Sequence, residues 1–106
     1  HTSAYNHTRN TQKTASRMVP GALDAFHVYR VDWTPYAVRG YVDNVQYFEF
    51  INENKGFTAW PFDKKFFMIL NVAVGGNWGG AQGVENTIFP ARMEVDYVKV
   101  FKMIEQ

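Results

Sequence analysis

The sequence predicts an all-β chain, an antiparallel β-sandwich that is incomplete as it stands. Three observations predict it. Apolar and polar residues alternate strictly through much of the chain, Asp43-Asn44 sits as a turn pair between two valines, and only residues 60–65 could hold a turn of helix.

Taken in order, residues 2–6 form one short candidate strand, followed by a polar loop rich in Thr, Asn and Lys up to residue 23. In Phe26-His-Val-Tyr-Arg-Val-Asp-Trp33, the side chains of Tyr29, Val31 and Trp33 share one face while Arg30 and Asp32 take the other. That is the pattern of a half-buried strand, and it places Trp33 in the core. Thr34-Pro35 supplies a turn, because proline fixes φ and lacks a donor. Val38, Gly40 and Val42 then alternate with Arg39, Tyr41 and Asp43. Asp and Asn both tolerate positive φ, so Asp43-Asn44 makes a two-residue hairpin turn into a third strand at residues 45–50. After a looser segment over 52–63, residues 66–74 are apolar on both faces except at Asn71, as expected of an inner strand between two packed layers. A glycine-rich loop spans 75–83. The last predicted strand covers 93–101, with Met93, Val95 and Tyr97 inward. Five or six strands leave unpaired edges, which a stable sandwich must cover or pair, so a missing partner segment is expected. No repeat or linker divides residues 1–106, which are read as part of a single domain.

Composition narrows the function. Hydrophobic residues make up 46% and aromatics 17% of the chain, more aromatic surface than a small core usually needs, so some rings are expected to face a ligand. Eleven basic and ten acidic side chains give a net charge of +1 without clustering. Neither nucleic acid nor a membrane is an expected partner, and no apolar run approaches the roughly 18 residues of a spanning helix. The absence of cysteine excludes a disulfide framework and a thiolate metal site. Opening on His1 rather than Met is expected to reflect processing, excision or a tag junction, so secretion is read neither in nor out. Ser3 and Ser16 lack a nucleophile-elbow context, and the glycines lack the Gly-Lys-Ser/Thr ending of a phosphate loop.

Several motifs stand together in one order: His1-Thr-Ser-Ala-Tyr-Asn-His7, Thr11-Gln-Lys13, residues 26–33, Tyr41-Val-Asp43, Trp60-Pro-Phe-Asp63, Leu70-Asn-Val-Ala-Val-Gly-Gly-Asn-Trp78 and Met93-Glu-Val-Asp-Tyr-Val-Lys-Val100. Together they resemble glycoside hydrolase family sixteen, in particular its laminarinases, from His1 to about Lys102. The resemblance implies a concanavalin-like jelly roll of two antiparallel sheets, whose concave face is a cleft for a linear β-glucan. It implies retaining, endo-acting hydrolysis of β-1,3-glucan, in a secreted or periplasmic protein. The family's catalytic strand, Glu-x-Asp-x-x-Glu or Glu-x-Asp-x-Glu, is absent from the chain and is expected upstream, on the N-terminal part of the same fold. The alternative is a non-catalytic module that binds β-1,3-glucan without cutting it. A bare structural fragment that only pairs with its other half is a third reading.

The resemblance also assigns candidate residues. No residue of this chain is expected to be catalytic. Glu94 and Asp96, two apart on one predicted strand, mimic a carboxylate pair, but their block corresponds to the family's final, convex-side strand. There Asp96 corresponds to a structural calcium (Ca2+) position, the alternative being a solvent-facing strand residue. His1 is implied in hydrogen bonding near the cleavage site, unless it is a loose terminus. Tyr5 and Asn6 are expected to line the cleft wall. Asn71 either meets sugar hydroxyls and orients the catalytic carboxylates or makes a structural hydrogen bond. Trp78 either lines the cleft or packs within its loop. Trp60 is left undecided.

Overall fold

Alternation and turn chemistry build one antiparallel sheet in the computed structural model, which describes residues 1–104. The strands are β1 (Tyr29–Trp33), β2 (Ala37–Val42) and β3 (Val45–Ile51), paired in the order β1-β2-β3. Asp43 and Asn44 adopt φ of 47° and 64°, so the two-residue turn forms as their residue types predict. The other turn rests on Thr34, whose hydroxyl accepts from the backbone N–H groups of Tyr36 (3.2 Å) and Ala37 (3.1 Å). The register shifts between Gly40, opposite Phe48, and Tyr41, opposite Gln46, which leaves Tyr47 as a bulged residue. Its ring lies against Gly40, where a Cβ would stand 3.3 Å from two of the ring carbons.

The described residues group into two compact units, His1–Lys65 with Met103 and Ile104, and Phe66–Lys102. In the first unit the sheet has a polar face and an apolar one, as alternation requires. On the polar face Arg39 pairs with Glu49 at 2.6 Å, and the Arg30 guanidinium lies 4.0 Å from the centre of the Tyr41 ring. The apolar face is covered at its β3 side, where Phe50, 9% exposed, and Trp60, 6% exposed, anchor a ring cluster. At its β1 side Tyr29, Val31 and Trp33 remain 66%, 68% and 46% exposed. The core position expected for Trp33 is therefore corrected. Alternation tells which side chains share a face, not whether a second layer covers it. The Trp33 indole N–H donates to the Phe62 carbonyl at 2.9 Å.

Three other expectations change. Residues 2–6 do not form a strand: Thr2 and Tyr5 close a turn through Thr2 N–H to Tyr5 O (2.7 Å) and Tyr5 N–H to Thr2 Oγ1 (3.1 Å). Short hydroxyl side chains compete with strand ladders by bonding the local backbone. A short 3₁₀ turn, His7–Arg9, follows. Residues 60–65 hold no helix, only a turn at 62–63; just before them another turn is closed by Trp60 N–H donating to Gly56 O at 2.9 Å. In the second unit the segments 66–74 and 93–101 carry no strand assignment and are solvent-exposed, including Asn71, Met93, Val95 and Tyr97. A strand is defined by pairing its N–H and C=O groups in a ladder, and the sheet among the described residues contains β1, β2 and β3 alone. The second unit's elements are a one-turn helix α1 (Gly76–Gly79) and a 3₁₀ turn over Asn86–Ile88, whose start is capped by Glu85 through Thr87 N–H at 3.0 Å.

The hairpin turn is tied to the preceding loop by His27. Its Nδ1 lies 2.6 Å from Asp43 Oδ2 and its Nε2 lies 3.2 Å from Gly21 O, while Asp43 Oδ1 accepts from Val28 N–H at 2.9 Å. Two acceptors on one ring favour the doubly protonated imidazolium. The hydrogen bond to Asp43, then that to the Gly21 carbonyl, raises the His27 pKa above its ordinary value, and the His27 hydrogen bond lowers that of Asp43. A raised histidine pKa contributes stability that is complete below the unfolded value, about 6.5, and is lost as pH rises through the folded one. Asp43's contribution is present above its unfolded value and is lost as pH falls through its depressed folded value. Denaturant unfolding followed across neutral and alkaline pH should therefore show stability declining as His27 deprotonates. His27→Gln should flatten that decline, and an unchanged profile would show that the tie contributes nothing.

Candidate functional site

A cavity of about 110 Å³ lies over the covered half of the apolar face, lined by His1, Thr2, Tyr5, Lys13, Val38, Phe48, Phe50 and Phe62. Strand alternation points Val38, Phe48 and Phe50 at it, and the turn through Thr2 and Tyr5 brings in the N-terminal segment. That segment is held by Ala4 N–H donating to Thr58 O at 2.9 Å. The rings interlock edge to face: Tyr5 meets Phe50 at 5.7 Å and 88°, Phe50 meets Phe62 at 6.3 Å and 88°, and Trp60 meets Phe62 at 5.2 Å and 85°. Such contacts add to simple area burial because positive ring edges meet negative faces. A broader open concavity lies on the same unit, with Trp33, Asn52, Phe57, Trp60 and Asp63 among its lining residues.

Tyr5 is the most constrained of these groups. Its hydroxyl donates to Glu53 Oε1, Lys55 Nζ holds Glu53 Oε2 at 2.6 Å, and Lys13 Nζ stands 4.4 Å from the Tyr5 ring centre. The Lys55 hydrogen bond, followed by that from Tyr5, lowers the Glu53 pKa, and the bond to Glu53 raises that of Tyr5. The His1 and His7 rings lie 5.2 Å apart, with their Nδ1 atoms at 3.4 Å.

The structure brings two of the predicted residues, His1 and Tyr5, to one cavity. Asn6 is adjacent in sequence, but its side chain is engaged locally. Its Oδ1 accepts from Thr8 Oγ1 (2.6 Å) and Arg9 N–H (3.2 Å), and its Nδ2 donates to the carbonyls of Thr2 (3.2 Å) and Ser3 (3.0 Å). In the second unit Asn71 is exposed, and Trp78, 95% exposed, lies on α1. Asp96 is exposed, and Glu94 faces Arg92 at 3.7 Å. Among the described residues no group of three His, Cys, Asp or Glu gathers where a metal would sit. Calcium takes about six to eight oxygens, so Asp96 and its neighbours do not make up such a site by themselves.

Sequence reasoning missed Phe50, Phe62, Glu53 and Lys55 as site residues. Phe50 carried a signal, since it ends an alternating strand. Glu53 and Lys55 lie in an aperiodic segment 48 and 50 positions from Tyr5, and only the folded chain brings Glu53 to the phenol.

Clustered rings beside hydroxyl, imidazole and ammonium groups suit a ligand with flat C–H faces and many hydroxyls, the chemistry of a saccharide. The chain belongs to the glycosyl hydrolases family 16, which it matches over residues 1–99. It is 47% identical over 110 residues to a beta-glucanase of Rhodothermus marinus, covering 99% of this chain and 38% of that protein. A keratan-sulfate endo-1,4-beta-galactosidase of Sphingobacterium multivorum is 37% identical over 95 residues, covering 89% of this chain and 22% of that protein. The X-ray structure of the laminarinase from Rhodothermus marinus superposes with a TM-score of 0.82 at 47% identity, covering 85% of this chain and 38% of that one. The chain thus spans well under half the length of these relatives.

Proposed function

We propose that this chain is the C-terminal part of a retaining endo-β-1,3-glucanase of the laminarinase type, and that it forms one wall of the substrate cleft. The observation that carries the reading is the 47% identity to a beta-glucanase, which extends over 99% of this chain. The same fold reading makes the three-stranded sheet part of a jelly-roll sandwich, whose remaining strands would cover the exposed side chains of Tyr29, Val31 and Trp33. His1 and Tyr5 meet the sugar, Asn6 shapes the turn that presents them, and Asn71 and Trp78 offer an amide and an indole face to the glucan. A structural calcium at Asp96 stands only with oxygens supplied from outside this chain. The protein is read as secreted or periplasmic.

Retaining hydrolysis needs two carboxyl groups about 5 to 5.5 Å apart, one to attack the anomeric carbon and one to protonate the leaving oxygen. The chain contains neither form of the family's catalytic signature, so both groups are assigned to an upstream strand. The test is reducing-end release from laminarin by the full-length protein. Glu94→Gln with Asp96→Asn should leave the rate within about twofold, the range expected of exposed substitutions away from the chemistry. Replacing an upstream glutamate of the signature should lower it at least about a hundredfold. Loss of activity on changing Glu94 would refute the assignment. Tight laminarin binding without hydrolysis, in a full-length protein lacking upstream glutamates, would establish a binding module instead.

A further inference from the structure

We infer that Glu53, clamped by Lys55, is a positioning residue that fixes Tyr5 in the cavity wall and sets its hydroxyl as a hydrogen-bond acceptor for the ligand. The inference rests on the saccharide-binding reading of the cavity and deepens it.

One carboxylate oxygen of Glu53 takes the Tyr5 proton, the other is held by Lys55 Nζ at 2.6 Å, and both Lys55 and Lys13 favour its ionised form electrostatically. An ionised carboxylate is an acceptor only, so the hydroxyl of Tyr5 must donate to it. A phenol whose proton is committed in this way offers only lone pairs to any further partner. The group it can recognise is therefore a donor, such as a sugar hydroxyl. The ring is located as well as the hydroxyl: its contact with Phe50 is edge-on at 5.7 Å, and Lys13 Nζ stands over it at 4.4 Å. Glu53 does not line the cavity, so its effect on a ligand there passes through Tyr5. A preset group costs less ordering on binding than a free one.

The test uses the full-length protein carrying this chain, with laminarihexaose as the probe and KM and kcat read separately. Tyr5→Phe removes the hydroxyl and keeps the ring; Glu53→Leu removes the acceptor; Glu53→Gln keeps an acceptor oxygen. Tyr5→Phe and Glu53→Leu should each raise KM about three- to tenfold, the worth of one net hydrogen bond, with kcat little changed. The double variant should be no worse than the more affected single one, because both remove the same contact. Glu53→Gln should recover most of the loss. In ultraviolet titration one tyrosine should ionise at lower pH in Glu53→Leu than in the parent. Full additivity of the two changes, or a KM unmoved by Glu53→Leu in a protein that still turns over the probe, would overturn this inference alone. A parent protein that neither binds nor cuts the probe would overturn the functional reading and this inference with it.

Discussion

Replacing Trp60 by alanine is expected to destabilise the first unit by about 3–5 kcal/mol, the usual range for truncating a buried aromatic side chain. Trp60 is 6% exposed and packs on both Phe50 and Phe62, at ring separations of 5.3 and 5.2 Å. Its removal opens a void between the rings that cover β3, and the remaining side chains can fill it only in part. The loop that carries Trp60 is anchored by its N–H bond to Gly56 O, so backbone collapse into the void is limited. Trp78 supplies the control, because the same truncation at a 95% exposed position removes little packing and should change stability by less than about 0.5 kcal/mol. Denaturant midpoints of the two variants decide the matter. Equal losses at both positions, or a larger one at Trp78, would show that the ring cluster is not what holds this unit together.

Hydrolysis of laminarin by the isolated 106-residue chain should fall at least about a thousandfold below that of the full-length protein, since the isolated chain has neither the nucleophile nor the acid of the signature. Adding the upstream segment as a second polypeptide should restore part of the rate. The physical basis is the apolar face described above: covering Tyr29, Val31 and Trp33 would stabilise association by about 25 cal/mol for each Å² of apolar surface removed from water. Reducing-end release over a titration of the upstream segment would show recovery saturating with its concentration. Rates near those of the full-length protein from the isolated chain, abolished by Glu94→Gln, would place the chemistry on the last segment and overturn the proposal.

Much of the sheet was legible because its causes are local. Alternation named the residues of β1, β2 and β3 that share faces, and two residues tolerant of positive φ named the turn between β2 and β3. Family membership was legible as well, because it rests on the joint spacing of several short motifs. The segments 66–74 and 93–101 were less so. Their alternation or apolar content describes how they would sit in a sheet, whereas ladder assignment requires a partner backbone.

The sequence by itself determined β1, β2 and β3, the position of the hairpin turn, the family and the absence of the catalytic signature. Each depends on residues close together along the chain, or on motifs whose order needs no folding to read. Only the tertiary structure decided that Trp60 is buried while Trp33 is half-exposed, and that Glu53 reaches Tyr5 from 48 positions away. Burial and long-range hydrogen bonds depend on which surfaces meet, and no local pattern in this sequence encodes that meeting.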